Sequence, residues 1–214
     1  MSPSILVLIS GSGSNLQALI DACASGRIAG KITHVISSSS NAYGLERAAK
    51  ASIATTTHEL KTYYKGIPKE EKKLRLEARA EFNKDLVKLI LESIKPDMIV
   101  CAGWMLILSS DFLKPLNDAS IPIINLHPAL PNQFEGTCAI ERSWQAGQDG
   151  LVQKGGCMIH YVIEEVDKGN PLVVREIEVI KGEPLDKWEE RIHALEHEAI
   201  VEGTIKVVNQ LNGH

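Results

Sequence analysis

Alternation of strand-like and helix-like segments over residues 5–126 is the feature that most restricts how this chain folds. Residues 5–9 form a continuous apolar run that ends at a Gly/Ser cluster, and residues 15–23 then carry apolar side chains at helical spacing. Further strands are predicted over residues 33–36, 53–56, 97–102 and 121–126, and further helices over 45–51 and 74–94. This alternation is typical of a mainly parallel sheet covered by helices.

The pattern changes after Gly150. Residues 156–163 and 171–179 read as two strands joined by a turn-rich connection, and a long helical pattern runs from Asp186 to the segment Asn212-Gly213. We therefore predict an α/β fold: a single domain with a mainly parallel, Rossmann-like twisted sheet flanked by helices, a C-terminal β-hairpin and a long final helix. With 44% hydrophobic residues, the 214-residue chain reads as one domain over 1–214. Its nucleotide-binding-like half covers about 3–130, and the hairpin and final helix lie within about 131–214.

Charge and cysteine usage exclude several classes of protein. The net charge of −4 provides no basic field for nucleic acid or an anionic membrane, although a small phosphorylated ligand needs only a few donors. No stretch approaches the roughly 20 apolar residues that cross a bilayer. The four scattered cysteines and the absence of a signal-peptide pattern favour reduced thiols in a cytoplasmic protein. The mixed-charge segment 61–73 reads as a solvated loop or insertion without assigned function.

A glycine-rich loop, Ser10-Gly-Ser-Gly-Ser-Asn15, separates the first strand from the first helix. Small residues at a helix N-terminus let backbone N–H groups approach an anion such as phosphate. The loop lacks the third glycine and the acidic partner of the dinucleotide fingerprint, and it lacks the Gly-Lys-Ser/Thr of a Walker loop. A plain strand-to-helix turn remains an alternative interpretation, compatible with phosphate binding.

The segment Asn125-Leu-His-Pro128 ends the fifth predicted strand. Alternation along a strand places Asn125 and His127 on one side, at the carboxyl end where open α/β sheets hold their sites. An amide donor beside an imidazole suits acyl chemistry, since both can stabilise an oxyanion. A carboxylate such as Asp167 near His127 would favour the imidazolium. Taken singly, His127 also reads as structural, Asp167 as a turn residue and His160 as a core histidine.

Five segments in this order carry a resemblance to a known family: residues 9–19, 44–48, 102–109, 125–128 and 166–171. Their sequences are ISGSGSNLQAL, GLERA, AGWMLILS, NLHP and VDKGNP. Together they resemble the glycinamide ribonucleotide transformylases of the folate-dependent formyltransferase family, over nearly the whole chain. The resemblance implies transfer of a formyl group from 10-formyltetrahydrofolate, as co-substrate, to the amine of glycinamide ribonucleotide in purine biosynthesis.

The same resemblance implies roles for individual residues. Catalysis falls on Asn125, His127 and Asp167, with His160 in support. The ribonucleotide falls on Gly13, Ser14, Asn15 and Glu196. The folate falls on Arg79, Met105, Leu106, Ile107, Leu108 and Asn125, and on Ile163, Glu164, Glu165, Val166 and Asp167. No metal and no nucleic-acid or membrane partner is implied, and the chain is expected to be a monomer, with a dimer as the alternative.

Two segments depart from the pattern of many relatives. Leu106 stands where they carry arginine, and residues 128–136 read PALPNQFEG where they have PSLLP. These differences affect the expected contacts of the pterin ring. All three catalytic residue types are present.

Other functions fit single features only. His193-Ala-Leu-Glu-His197 matches the H-x-x-E-H pattern of zinc peptidases, which requires a third ligand elsewhere. A nonenzymatic nucleotide-binding module would explain the glycine loop and leave Asn125, His127 and Asp167 without a role. The methionyl-tRNA formyltransferases are disfavoured because this chain has neither their C-terminal extension nor a basic balance. The deformylase relatives carry an added N-terminal domain.

Overall fold

The computed structural model describes residues 2–213, and contacts between residues divide it into two compact units. The first unit combines the N-terminal segment through Gln17 with Gly30–Pro122, and the second combines Ala18–Ala29 with the chain from Ile123 onward. The strands are β1 Ser4–Ile9, β2 Lys31–Ser37, β3 Ala54–Thr57, β4 Met98–Cys101, β5 Ile123–His127, β6 Lys154–Tyr161 and β7 Pro171–Glu178. The helices are α1 Ser14–Ala24, α2 Gly44–Lys50, α3 Leu60–Tyr63, α4 Lys72–Lys88, α5 Ser110–Asp118, α6 Ala139–Gln148 and α7 Leu185–Leu211.

The first unit contains four parallel strands in the order β3-β2-β1-β4. The central strand β1 pairs with both neighbours, and Ile5 through Ile9 are almost completely buried. Buried parallel strands need apolar residues on both faces, which explains why β1 and β4 are continuous apolar runs. The predicted parallel sheet with alternating helices is confirmed in this unit.

The predicted helix over residues 74–94 is nearly right in extent and wrong in its last turns. Regular α4 ends at Lys88, and Leu89–Ile94 continue as a π-helical segment. Lys95 then takes a left-handed conformation with φ of 52°, and its N–H donates to the carbonyl of Ile90. The π-helical segment has only six residues, which is too short for its wider winding to appear in the hydrophobic spacing.

Helices α5 and α6 were not predicted. Pro115 lies inside α5, and proline usually ends a helix because it lacks a donor and clashes with the preceding turn. Phe112, Leu113 and Leu116 are nevertheless buried at helical spacing, so packing outweighs the cost of the proline. Helix α6 buries only small residues, Ala139, Ser143 and Gly147, which give a weak apolar signal.

The second unit contains the antiparallel ladder β5-β6-β7 and the long helix α7. The predicted hairpin and final helix are therefore confirmed. Two glycines allow α7 to approach the strands closely: a Cβ on Gly203 would lie 2.6 Å from Ile159, and one on Gly155 would lie 2.5 Å from Trp188. The Trp188 side chain is buried and belongs to the core of this unit.

The segment over residues 61–73 is not wholly a loop, which corrects the sequence interpretation. It contains most of the short helix α3 and the first residues of α4. Mixed charge and the Gly66 and Pro68 pair obscured these elements, which are exposed and carry little apolar periodicity. Within residues 2–213, no helix is long and apolar enough to cross a membrane.

Candidate active site

Strand β5 positions the amide and the imidazole that the sequence singled out. Asn125 and His127 are separated by one residue and so share one side of the strand. Asn125 is half-buried, whereas His127 is only 2% exposed. A buried imidazole needs a polar partner at each ring nitrogen, so its neighbours determine its chemistry.

Both ring nitrogens of His127 face oxygen acceptors. Nε2 lies 3.0 Å from the backbone carbonyl of Gln133, and Nδ1 lies 3.3 Å from Oδ2 of Asp167. A carbonyl oxygen only accepts, so Nε2 donates to Gln133, and the Asp167 carboxylate is an acceptor beside Nδ1. The imidazole therefore has an oxygen acceptor opposite each ring nitrogen.

Asn125 makes a second pair with His160, which lies directly opposite it on β6. Nδ1 of His160 lies 2.9 Å from the carbonyl of Tyr161 and must donate there. The other ring nitrogen, Nε2, lies 3.2 Å from Nδ2 of Asn125, and it accepts from that amide in the tautomer that carries its hydrogen on Nδ1 alone. This pair orients the Asn125 amide and leaves its second N–H for another acceptor.

Asp167 joins the two histidines. Its side chain is 9% exposed; Oδ2 accepts the N–H of Gly136 at 3.0 Å, and Oδ1 lies 3.6 Å from Nε2 of His160. Burial by itself raises the pKa of this carboxyl, but the interaction with His160, the Gly136 N–H and the charge of His127 outweigh burial. The pKa of Asp167 therefore lies below its usual value, which keeps the carboxylate ionised.

Backbone geometry fixes Asp167 in this position. Its φ is +58°, in the left-handed region that non-glycine residues adopt rarely, and such strain is concentrated at functional sites. Gly169 follows in the same connection, and a Cβ there would collide with the carbonyl oxygen of Tyr161. The connection therefore runs close against the end of β6, directly beside His160.

The contacts from Gln133 and Gly136 were missed by sequence reasoning. Both lie in the connection between β5 and α6, and Lys168 and Glu135 join this connection to that of Asp167 by an ion pair of 2.5 Å. Asn132, Phe134 and Cys138 in the same connection have positive φ. Backbone groups supply these contacts to His127 and Asp167, so the residue types at 133 and 136 did not indicate them. The turn residues in the sequence PNQFEG indicated only that the chain bends there.

The glycine loop lies in the first unit, between β1 and α1. Gly13 has a φ of +72°, and a Cβ there would lie 2.5 Å from Cα of Gly44, the first residue of α2. The guanidinium of Arg47 donates to the carbonyl of Ser12 at 2.9 Å. Helix α1 begins at Ser14, so the predicted phosphate-binding residues stand at a helix N-terminus.

The folate-contacting residues predicted from the resemblance lie in both units. In the first unit, two of them are joined by a hydrogen bond. Nη2 of Arg79, on α4, donates to the carbonyl of Ile107 at 3.0 Å. Met105 is 72% exposed and Ile107 is 61% exposed, while Leu106 is half-buried and Leu108 is buried. Large apolar side chains at this exposure are available to a ligand.

The remaining predicted residues lie in the second unit. Ile163 through Val166 precede Asp167 and are all exposed. Glu196 is buried on α7, where one of its oxygens lies 3.0 Å from Nδ1 of His193. That contact raises the pKa of His193, although partial burial opposes the shift.

The zinc-peptidase pattern on α7 has no support from side-chain geometry. Among residues 2–213, no group of three or more His, Cys, Asp and Glu side chains is arranged to hold a metal ion. His193 is instead paired with Glu196. The absence of a metal in the natural protein stays a prediction.

Comparison with known proteins places the geometry in a family context. Residues 4–204 match the family model for formyl transferases. The phosphoribosylglycinamide formyltransferase of Saccharomyces cerevisiae is 57% identical over 213 residues, which cover 97% of this chain and 98% of that protein. The Escherichia coli protein of the same name is 32% identical, over 91% of this chain and 82% of its own length.

Solved structures agree in fold. Glycinamide ribonucleotide transformylase 1 from Symbiobacterium toebii superimposes with a TM-score of 0.80 at 31% identity, covering 98% of this chain and 89% of that one. The Coxiella burnetii phosphoribosylglycinamide formyltransferase, solved in complex with CHES, gives a TM-score of 0.81 at 31% identity, with the same coverage of both chains.

Proposed function

The chain belongs to the formyl transferase family, and from this premise we propose that it moves the formyl group of 10-formyltetrahydrofolate to the amine of glycinamide ribonucleotide. Relatives that share 44–57% of its sequence are named phosphoribosylglycinamide formyltransferases, and this chain has that enzymatic class, in purine biosynthesis. The identity of the donor, the roles of the residues and the mechanism are the parts proposed here.

The observation that carries the proposed mechanism is the continuous set of polar contacts through Asn125, His160, Asp167 and His127. One amide N–H is oriented and left for an acceptor, and one imidazole is oriented by a carboxylate beside its Nδ1. These are the two donors that an oxyanion requires. A nonenzymatic nucleotide-binding module would have no need of them.

In the proposed reaction the amine nitrogen of the ribonucleotide attacks the formyl carbon directly. A C–N bond forms, and the formyl oxygen becomes an oxyanion that accepts hydrogen bonds from Nδ2 of Asn125 and Nε2 of His127. The intermediate collapses as the bond from the formyl carbon to N10 of the folate breaks. The proton lost by the amine reaches N10 through His127 or a water molecule.

The hydrogen bond between His127 and Gln133 gives this step a structural requirement. In the present conformation Nε2 donates to the carbonyl of Gln133, 3.0 Å away. The oxyanion therefore replaces that carbonyl as the acceptor, and the Gln133 backbone shifts when substrates bind. Catalytic hydrogen bonds commonly reach their final geometry only in the substrate complex.

Binding of the ribonucleotide is assigned to Gly13, Ser14, Asn15 and Glu196. A phosphate at the N-terminus of α1 would accept backbone N–H groups and interact favourably with the helix dipole. The positive φ of Gly13 and the packing of Gly44 against it leave no room for a side chain at that turn. Glu196 would accept hydrogen bonds from ribose hydroxyls.

Binding of the folate is assigned to two groups of residues, each by its own chemistry. Met105 through Leu108 offer apolar surface and backbone groups to a flat aromatic ring, and Arg79 offers a guanidinium to a carboxylate. Ile163 through Asp167 supply the remaining contacts. Asn125 is proposed to contact the donor as well as the oxyanion.

The decisive experiment is a spectrophotometric assay of folate product with purified protein, 10-formyltetrahydrofolate and glycinamide ribonucleotide. We expect product only when all three are present. The control omits the ribonucleotide and measures hydrolysis of the donor. Release of formate at the same rate without the amine would show a hydrolase and refute the proposed transfer.

A further inference from the structure

Two connections of the second unit meet beside Asp167, each through two consecutive residues. Glu135 and Gly136 lie in the connection between β5 and α6, and Asp167 and Lys168 lie in the connection between β6 and β7. The N–H of Gly136 donates to Oδ2 of Asp167 at 3.0 Å, and Nζ of Lys168 lies 2.5 Å from Oε1 of Glu135. A single hydrogen bond leaves one connection able to pivot about the other, whereas a second contact at the adjacent residue opposes that rotation.

One oxygen of Asp167 links these connections to the imidazole. Oδ2 accepts the N–H of Gly136 and also lies 3.3 Å from Nδ1 of His127. A shift of the Gly136 backbone therefore shifts the oxygen that faces the ring. Misplacement of a catalytic group by about 1 Å can lower a rate as much as about 100-fold.

Apolar packing does little to hold either connection. Residues 163–166, which precede Asp167, are exposed, and so are residues 135–138. Asp167 also has a φ of +58°, and a strained backbone of this kind persists only where surrounding contacts hold it. Polar contacts must therefore supply most of the restraint.

Arg142, on α6, fixes the connection that carries Glu135. Its Nη1 donates to the carbonyl of Glu135 at 2.9 Å and to that of Thr137 at 3.2 Å. These two carbonyls flank Gly136, and the guanidinium carbon also lies 5.7 Å from the centre of the Phe134 ring. The ion pair thus joins the other connection to a backbone segment that is itself held to a helix.

The ion pair is partly exposed. The side chains of Glu135 and Lys168 are 38% and 44% exposed. A pair at this exposure contributes little to the stability of a fold. Its consequence is therefore expected in the local geometry beside it.

We propose that the ion pair of Glu135 and Lys168 positions Asp167 for catalysis. Both residues act through the adjoining backbone, which places Oδ2 of the carboxylate at its distance from His127. Arg142 supplies the fixed end of this link. The inference rests on the proposed function, because it takes Asp167 as a catalytic residue.

The first test is a double-mutant cycle on turnover with 10-formyltetrahydrofolate and glycinamide ribonucleotide. We expect Glu135→Gln and Lys168→Gln each to lower kcat about 3- to 10-fold and to leave both KM values within about twofold, because position is lost and binding is kept. The variant that carries both changes should be no slower than the slower single variant, because both changes break one link. Independent effects would multiply to roughly 10- to 100-fold.

Two further variants are the controls for the cycle. Lys168→Arg keeps the positive charge, so it should retain kcat within about twofold. Lys154→Gln breaks an exposed ion pair with Glu176, 2.9 Å long, at the opposite end of β6 from Asp167. It should leave kcat unchanged.

A titration of the Asp167 carboxyl carbon by NMR tests the same link without turnover. Burial raises the pKa of Asp167, but its polar partners, Gly136 among them, hold the pKa below its usual value. Glu135→Gln removes a negative charge, which by its field alone would lower this pKa further. Loss of position weakens the Gly136 contact and raises the pKa instead. We expect the rise in Glu135→Gln and no change in Lys154→Gln.

Three results would overturn the proposal: unchanged kcat in Glu135→Gln, single effects that multiply in the double variant, or a lowered pKa of Asp167 in Glu135→Gln. A higher KM with unchanged kcat in Lys168→Gln would make Lys168 a substrate contact instead. Failure of the proposed function looks different, since the wild type would then transfer no formyl group. The carboxyl titration tests the positioning role in that case as well.

Discussion

At the scale of single residues, the candidate site depends on how neighbouring donors and acceptors orient each side chain. His127 is buried between a carbonyl and a carboxylate, and Asp167 is ionised because its partners outweigh its burial. The Asn125 amide is oriented by a histidine that must donate elsewhere. Each of these side chains is of a common type. The proposed chemistry of the site comes from which donor faces which acceptor.

Removing either member of the pair His127 and Asp167 should lower turnover far more than substrate binding. We expect His127→Ala and Asp167→Asn each to reduce kcat by about 10²- to 10⁴-fold while KM for glycinamide ribonucleotide changes only a few-fold, because the lost interactions form in the transition state. Steady-state kinetics check this. His34→Ala, which removes a histidine bonded to Thr56 on a neighbouring strand, is the control and should retain wild-type kcat. Near-normal turnover in either site variant would remove that residue from the mechanism.

The lowered pKa of Asp167 also predicts how stability depends on pH. The unfolded chain binds this proton more readily than the folded chain, so the stabilisation is present above the ordinary carboxyl pKa and is lost as pH falls through the lowered value. The wild type should therefore be more stable than Asp167→Asn at neutral pH. The difference should begin to shrink below roughly pH 4. Urea unfolding at several pH values measures it, and a difference that stays constant down to pH 3 would contradict the assignment.

At the scale of secondary-structure elements, glycines decide how closely two segments approach. Gly13 at the start of α1 and Gly44 at the start of α2 pack backbone against backbone, with a Gly44 N–H bonded to the carbonyl of Gly11. Gly169 does the same for the connection that carries Asp167. The glycine loop and the connection that carries Asp167 can therefore take their positions only because glycine has no side chain there.

Substitution at the first of these turns should be costly, and a neighbouring glycine provides the control. A Cβ at Gly13 would lie 2.5 Å from Cα of Gly44 at a φ of +72°, whereas a Cβ at Gly11 meets nothing within 4 Å. We expect Gly13→Ala to destabilise the fold by about 1–3 kcal/mol and Gly11→Ala by less than about 0.5 kcal/mol. Chemical denaturation gives both values. Equal losses would show that the contact with Gly44 is not responsible.

At the scale of the whole molecule, substrate binding should appear as added stability. A ligand that binds only the folded state contributes about 2.7 kcal/mol at 100 times its Kd. For a chain of this size, each kcal/mol raises Tm by about 2–4 °C. Saturating glycinamide ribonucleotide should therefore raise Tm by roughly 5–10 °C in a thermal shift measurement.

Glycinamide without the ribose phosphate is the control for that measurement. It lacks the anion proposed to bind at the N-terminus of α1, so the same concentration should leave Tm unchanged. An equal shift with both compounds would show that the phosphate contributes nothing. One cooperative transition in the same scan would also support the single-domain prediction over residues 1–214.

Local sequence determined most of the elements of this protein. Apolar runs followed by helical periodicity produced the α/β class, the hairpin and the final helix, because burial on one or both faces leaves a periodic signal. The glycine loop and the segment Asn125-Leu-His-Pro128 could also be located from the sequence, because each follows or ends a predicted strand. The sequence did not indicate α5, where packing outweighs Pro115, or the π-helical end of α4, which is too short to change the hydrophobic spacing visibly.

Only the tertiary structure decided which distant residues meet. Asp167 reaches His127 because Gly169 lets the hairpin connection lie against β6. The carbonyl of Gln133 contacts the same ring, and a backbone contact of this kind cannot be predicted from the residue type. The packing of Tyr64, which precedes α4, against Arg75 on that helix is a further contact that the sequence did not indicate. Contacts between segments far apart in sequence depend on chain path and close approach, and neither leaves a local pattern.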